Sequence, residues 1–313
     1  MATSGTPESV VRDIVDAMRA LAGKQPGFRP VHAKGLVCAG TFRASADAAR
    51  VSRAPHFTGR PTPVVVRFAN SSGNPDVHDG VPNVRSMAVK FQLADGKSAD
   101  ILANSIEGFI ARTPAELLEF LRAQLPEPAT GRPNPDAVPR FLASHPGGRA
   151  FVERLMKKPV PASYGQTIYY AEHAFRFSAA DGSSRFGRYR FVPEAGESIL
   201  SPDDAGKRSP TFLREELEGR LRNGPVLFRL VLQLAVPGDP TDDVTALWPP
   251  DRPLVELGRL EVTSISPTSA ADEQRLIFDP TNTTDGIDLS DDPILPARSA
   301  AYSISYDRRS RGE

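Results

Sequence analysis

Apolar side chains recur at helical spacing near the start of the chain: Val10, Val11, Ile14, Val15, Met18 and Leu21 share one face. Thr6 is the expected N-cap, Pro7 suits the first turn and Gly23 closes the helix. After a Pro-Gly turn at 26–30 the pattern changes to one of β-branched and aromatic runs, which predicts strands over 36–42, 63–68, 87–93, 167–170, 174–178, 186–191, 226–236 and 254–265. Asp181-Gly182 joins two alternating runs and predicts a hairpin. Helical patterns return at 45–51, at 115–125 through Leu117, Leu118, Phe120 and Leu121, in short pieces at 147–156, and at 209–222. In the last of these Glu215, Glu216 and Glu218 answer Arg214, Arg220 and Arg222 on a solvated face. Residues 126–139 carry five prolines and are expected to be irregular. Strands joined by short turns, with helices before and after, predict an α+β fold: an antiparallel β-barrel with flanking helices. An N-terminal helix and lead-in (1–25) precede a single barrel domain (26–313).

Composition narrows the function classes. Lysine plus arginine equals aspartate plus glutamate at 38 each, so no charge excess points to nucleic acid or to a membrane surface. Cys38 is the single cysteine, which excludes an intramolecular disulfide and any cysteine-based zinc site. Glu8, Arg12, Asp13 and Asp16 interrupt the N-terminal helix, leaving no apolar signal core. No run approaches the ~18 apolar residues of a membrane span. A soluble, cytoplasmic protein is the expectation.

The candidate chemistry is concentrated near the end of the chain. Arg298 and Tyr302 are four residues apart, the spacing that places two side chains on one helical face. A guanidinium beside a phenol hydroxyl favours the phenolate. One arginine alone falls short of ionising a phenol at neutral pH, a gap on the order of 4 kcal/mol, so a ferric ion is the natural second contributor. Tyrosinate is among the few axial ligands that haem iron accepts. By itself the pair reads first as a helix-surface contact. Its surroundings, Phe278-x-Pro280-x-Asn282, Gly286-Ile287, Asp292 and Leu295, followed by Arg298 and Tyr302, resemble the proximal segment of the haem catalase superfamily. A second segment, Arg29-x-x-His32-Ala33-Lys34-Gly35, is similar to that family's distal-histidine signature.

The resemblance extends over about residues 29–309 and implies a haem catalase-type barrel. Tyr302 would be the axial iron ligand supported by Arg298, while Arg29, Arg67 and Arg309 would neutralise the propionates of a haem, expected to be haem b. His32 would be the acid/base over the haem, and Asn104 would orient peroxide. One departure stands out: the family carries serine two residues after the arginine at 67, bonded to the distal histidine, and this chain has Ala69. The implication is a less firmly held His32. The chain ends eleven residues after Tyr302, and so resembles the small, core-only branch, the catalase-related peroxidases, without a C-terminal helical domain. This implies a peroxidase that reduces hydrogen peroxide or organic hydroperoxides with an organic reductant and has weak catalase activity. A homodimer is an open expectation.

Two other readings stand beside it. Allene oxide synthases resemble this core but tend to carry threonine just before the distal histidine, where this chain has Val31. A non-catalytic haem or lipid carrier would use the barrel as a container. His78, His145, His173 and Arg190 are expected to be structural, and Trp248 a packing anchor.

Overall fold

The computed structural model describes residues 6–23 and 25–313. Helix α1 (Glu8–Ala22) takes Pro7 as its N-cap with no side-chain cap, one position later than the expected Thr6, and ends at Gly23 with φ 77°. Strand β1 (Gly35–Ala44) leads through α2 (Ala48–Val51) into a meander of β2 (Thr62–Asn70), β3 (Arg85–Gln92) and β4 (Ser98–Asn104). Three helices follow, α3 (Pro114–Arg122), α4 (Ala137–Ser144) and α5 (Pro146–Lys157). The chain then returns through β5 (Val160–Pro161), β6 (Tyr169–Tyr170), β7 (Phe175–Ser178), β8 (Ser184–Pro193) and β9 (Ile199–Leu200). After α6 (Pro202–Gly206) and α7 (Phe212–Arg222) come β10 (Val226–Leu234), β11 (Leu254–Ile265), α8 (Ser269–Arg275), β12 (Ile287–Leu289) and α9 (Ile294–Ser310).

Antiparallel pairing runs β1-β2-β3-β4-β6-β8-β10-β11, and β11 returns to β1, so eight strands close a barrel. An eight-stranded barrel is just wide enough for side chains to fill its interior. Here Phe42, Phe68, Phe91, Phe191, Phe228 and Met87 do so, all fully buried in one apolar cluster. The lumen is a packed core, which removes the container reading. A second apolar cluster forms where α1 meets α3 and α4, through Ile14, Ala17, Leu117, Leu118, Leu121 and Phe141.

Several elements differ from the sequence pattern for local reasons. Pro139 lies inside the first turn of α4, where its missing N–H costs nothing. His56, which follows helix α2, is buried between Phe57 and Phe91, at ring distances of 4.3 and 4.5 Å. Burial pushes its pKa down to about 3. Along one edge of β8 the strand breaks over residues 171–174, dividing β6 from β7 where the sequence pattern also separates two strands.

The loop after α8 is stitched to β4. Asp100, itself bound by Lys90 at 2.6 Å, accepts the Asp279 N–H at 2.9 Å. Its own N–H donates to Asn282 O at 2.8 Å. At Gly286 the backbone is left-handed, with φ 84°. A Cβ there would lie 2.7 Å from Ser52 Oγ, whose hydroxyl donates to Gly286 O, so glycine is required in this motif position.

Candidate active site

A cavity of about 490 Å³ lies against the outer face of the barrel, between β3–β4 and helices α1, α3 and α9. Its size is in the range of small-molecule sites, ~300–1,000 Å³. Helix α1, with no chemical side chain, contributes Ile14, Val15 and Met18 to the wall, and α3 adds Leu117 and Leu121. His32, Asn104, Arg29, Arg67, Arg298, Tyr302 and Arg309 all reach this one space, as does Val31.

The sheet wall follows from strand register. Gly35, Ala69, Ser86, Asn104 and Tyr170 form one cross-strand row, each paired with the next. His32 approaches this row with φ 57°, the one non-glycine residue with positive φ among those described. A left-handed conformation costs an ordinary residue roughly 1–2 kcal/mol, and the surroundings hold it in place. Arg67 Nη2 donates to His32 O at 2.6 Å, and the Ala33 N–H donates to Ser72 O at 2.9 Å.

The ring is anchored as well. Ser86 Oγ lies 3.1 Å from His32 Nδ1. Ser86 is the cross-strand partner of Ala69, so the hydroxyl missing at 69 is supplied from the adjacent strand. This corrects the implication that Ala69 leaves His32 loosely held. Burial, then the nearby cations Arg67 and Arg298, push the His32 pKa down to about 3, so its imidazole is neutral at ordinary pH.

On the helical wall, α9 gives Arg298 and Tyr302 their common face. Arg298 Nε and Nη2 donate to Tyr302 Oη at 3.0 and 2.7 Å. Behind this pair stands a relay that the sequence reading missed. Arg298 Nη1 donates to His173 Nε2 at 2.7 Å, and His173 Nδ1 donates to Asp292 Oδ2 at 2.7 Å. The two partners fix the histidine tautomer. Nη1 also reaches Glu172 Oε2 at 3.0 Å, and Glu172 Oε1 accepts from Asn104 Nδ2. Burial works against the charge on Arg298, but Tyr302 and Glu172 outweigh it and lift its pKa above the usual range. Glu172 and His173 come from the break between β6 and β7. Sequence spacing offered no sign of this, although Asp292 stands in the quoted motif. Arg190 stays outside, paired with Glu107 at 2.8 Å. Trp248 is the buried anchor expected, its Nε1 donating to Pro240 O at 2.8 Å.

At one end of the cavity three arginines converge on α8 and its exit. Arg29 Nη1 and Arg67 Nη2 bind Glu273 Oε2 at 2.7 and 2.8 Å, and Arg309 Nε donates to Gln274 O at 3.1 Å.

The catalase family model matches residues 13–312. The chain belongs to the catalase family. It is 41% identical over 296 residues to a catalase-related peroxidase of Mycolicibacterium paratuberculosis, covering 94% of this chain and 93% of the relative. A catalase-related peroxidase of Synechococcus elongatus is 34% identical, covering 99% and 91%. Against longer catalases, such as that of Streptomyces coelicolor at 29% identity, the match covers 89% of this chain and 60% of the relative. A solved bacterial catalase superposes with a TM-score of 0.80 at 25% identity, over 91% of this chain and 58% of that one. Catalases bind haem, and the residues present fit that group. A phenol oxygen takes two guanidinium N–H bonds, a neutral imidazole and Asn104 lie on the sheet wall, three arginines close one end, and apolar side chains of α1 and α3 line the facing wall.

Proposed function

We propose that this catalase-family chain is a cytoplasmic haem b peroxidase that reduces hydrogen peroxide, or organic hydroperoxides, with an organic electron donor and dismutates peroxide only weakly. Family membership makes it a peroxide-acting oxidoreductase. The observation that carries the finer reading is that the Tyr302–Arg298 pair and the neutral His32 enter the same apolar-walled cavity.

Tyr302 would hold the haem iron through its phenol oxygen, which takes two N–H bonds from Arg298. Haem, when bound, supplies the redox-active iron at which the peroxide O–O bond breaks. In the tautomer that donates Nδ1–H to Ser86 Oγ, His32 has Nε2 free to accept a proton from peroxide and return it to the departing oxygen, which leaves as water. Asn104 Nδ2 orients the peroxide by donating to it. Arg29, Arg67 and Arg309 would hold the propionates. The aliphatic wall from α1 and α3 excludes water and suits an organic donor better than a second peroxide molecule. We further propose a homodimer.

The absorption spectrum of the haem-reconstituted protein beside that of Tyr302→Phe tests the ligand. A high-spin ferric phenolate spectrum that disappears in the variant is expected, and a protein that stays colourless after haem supplementation overturns the proposal. Steady-state assays test the reaction: peroxide dismutation far outpacing dye oxidation would contradict it.

A further inference from the structure

The three arginines at the end of the cavity are held by one short stretch of chain. Glu273 binds Arg29 at 2.7 Å and grips Arg67 with both oxygens, Oε1 to Nε at 2.8 Å and Oε2 to Nη2 at 2.8 Å. Leu276 O takes the other arm of Arg29 at 2.9 Å, and Gln274 O takes Arg309. The last carbonyls of a helix carry partial negative charge and attract cations. Glu273 faces an outer groove shared with Arg29 and Arg309, and does not line the inner cavity. The guanidinium groups therefore lie between this carboxylate and the cavity. Gly35 makes room for the contact, because a Cβ there would fall 2.3 Å from Arg67 Nη2 and 2.7 Å from Glu273 Oε1. Without a counter-charge the arrangement is unfavourable: burial and then Arg67 already push the pKa of Arg29 down to about 9.

We propose that Glu273 is a positioning residue for the two acidic arms of the bound tetrapyrrole. It fixes Arg29 and Arg67 from behind and leaves that wall with two net positive charges, matched to two ionised propionates. This rests on the haem reading above. Glu273 repels the propionates only across the intervening guanidiniums, whereas it touches the arginines directly. Coulomb energy falls with distance and with solvent screening, so positioning outweighs repulsion.

Haem release from the reconstituted protein to a scavenging apoglobin, measured for wild type, Glu273→Gln and Glu273→Asp, tests this when repeated with haem dimethyl ester, whose arms carry no charge. Outer-shell partners of a ligand typically matter by about 10–100-fold. Glu273→Gln is expected to release haem faster by at least the lower figure and to leave the ester rate unchanged, and Glu273→Asp to recover part of the loss. Equal acceleration for haem and ester would show a merely structural role and overturn the proposal, as would no change or slower release of haem. If Glu273→Gln does not fold, Glu273→Asp carries the same comparison, with an intermediate effect on haem alone expected. Failure of the wild-type protein to take up haem would instead overturn the haem reading.

Discussion

Replacing Ser86 by alanine isolates the contact that orients the cavity imidazole. The His32 backbone, at φ 57°, is held by Arg67 Nη2 and the turn at Ser71–Ser72, none of which involves Ser86. The variant therefore leaves the loop in place and frees only the ring, whose Nδ1 loses a partner at 3.1 Å. A neutral hydrogen bond contributes about 0.5–1.5 kcal/mol. If that orients the ring for proton transfer, its loss slows the step by between about twofold and about tenfold. The loss has a further signature. Because the His32 pKa is pushed down to about 3, the ring is neutral in both proteins across ordinary assay conditions, and the ratio of their rates should not change with pH between about 5 and 8. Stopped-flow measurement of peroxide consumption at saturating donor, normalised to haem content, gives the number. The double variant A69S/S86A should regain activity, since Ala69 is the cross-strand neighbour of Ser86. A folded, haem-replete S86A protein with unchanged kcat/KM for peroxide would refute the reasoning.

Other expectations concern stability. His56 is buried with a pKa of about 3, below its unfolded value of about 6.5, so its contribution is complete above pH 6.5 and is lost as the pH falls towards 3. The full loss is on the order of 5 kcal/mol; the gap between urea midpoints at pH 7 and pH 4 should shrink by about half in H56F, the remainder coming from His32, which titrates in the same window. Lys90→Met strands the buried Asp100 carboxylate and should cost roughly 3–5 kcal/mol, read as a lower denaturation midpoint, with D100N in the same chain recovering much of it. Asp292→Asn removes a charged acceptor from the buried His173, while an amide oxygen can still accept the Ile294 N–H at 2.8 Å; a loss of about 2 kcal/mol is expected in thermal unfolding.

The barrel was largely legible in the sequence because its strands announce themselves locally. Residues 254–265 of the sequence pattern coincide with β11, and the Asp181-Gly182 turn joins β7 to β8 as expected. Helix α8 was not legible: its sequence, SAADEQR, has no apolar period, and it is placed by tertiary contacts such as Ser269 Oγ accepting the Val37 N–H at 2.9 Å. The site divides in the same way. The side chains within the two quoted segments could be found by eye, whereas His173 acquires its role from Asp292, 119 positions away. Glu273 meets Arg67 across 206 positions, and no short-range pattern encodes such a meeting. Ser86 is the intermediate case. Its alternation with Met87 puts it on the outer face of β3, but only the register with Ala69 reveals what it replaces.

The location of the cavity outside a filled barrel has a consequence for how such a protein can change. One wall is sheet, fixed by the pairing that closes the fold, and the other is made of helices that meet it from a separate apolar cluster. Side chains on α1 and α3 can be exchanged without disturbing the lumen or the row that carries Ser86 and Asn104. The helical wall can thus vary while the lumen stays fixed, but Val15, Leu117 and Leu121 are themselves buried, so exchanges there are bounded by the packing of α1 on α3.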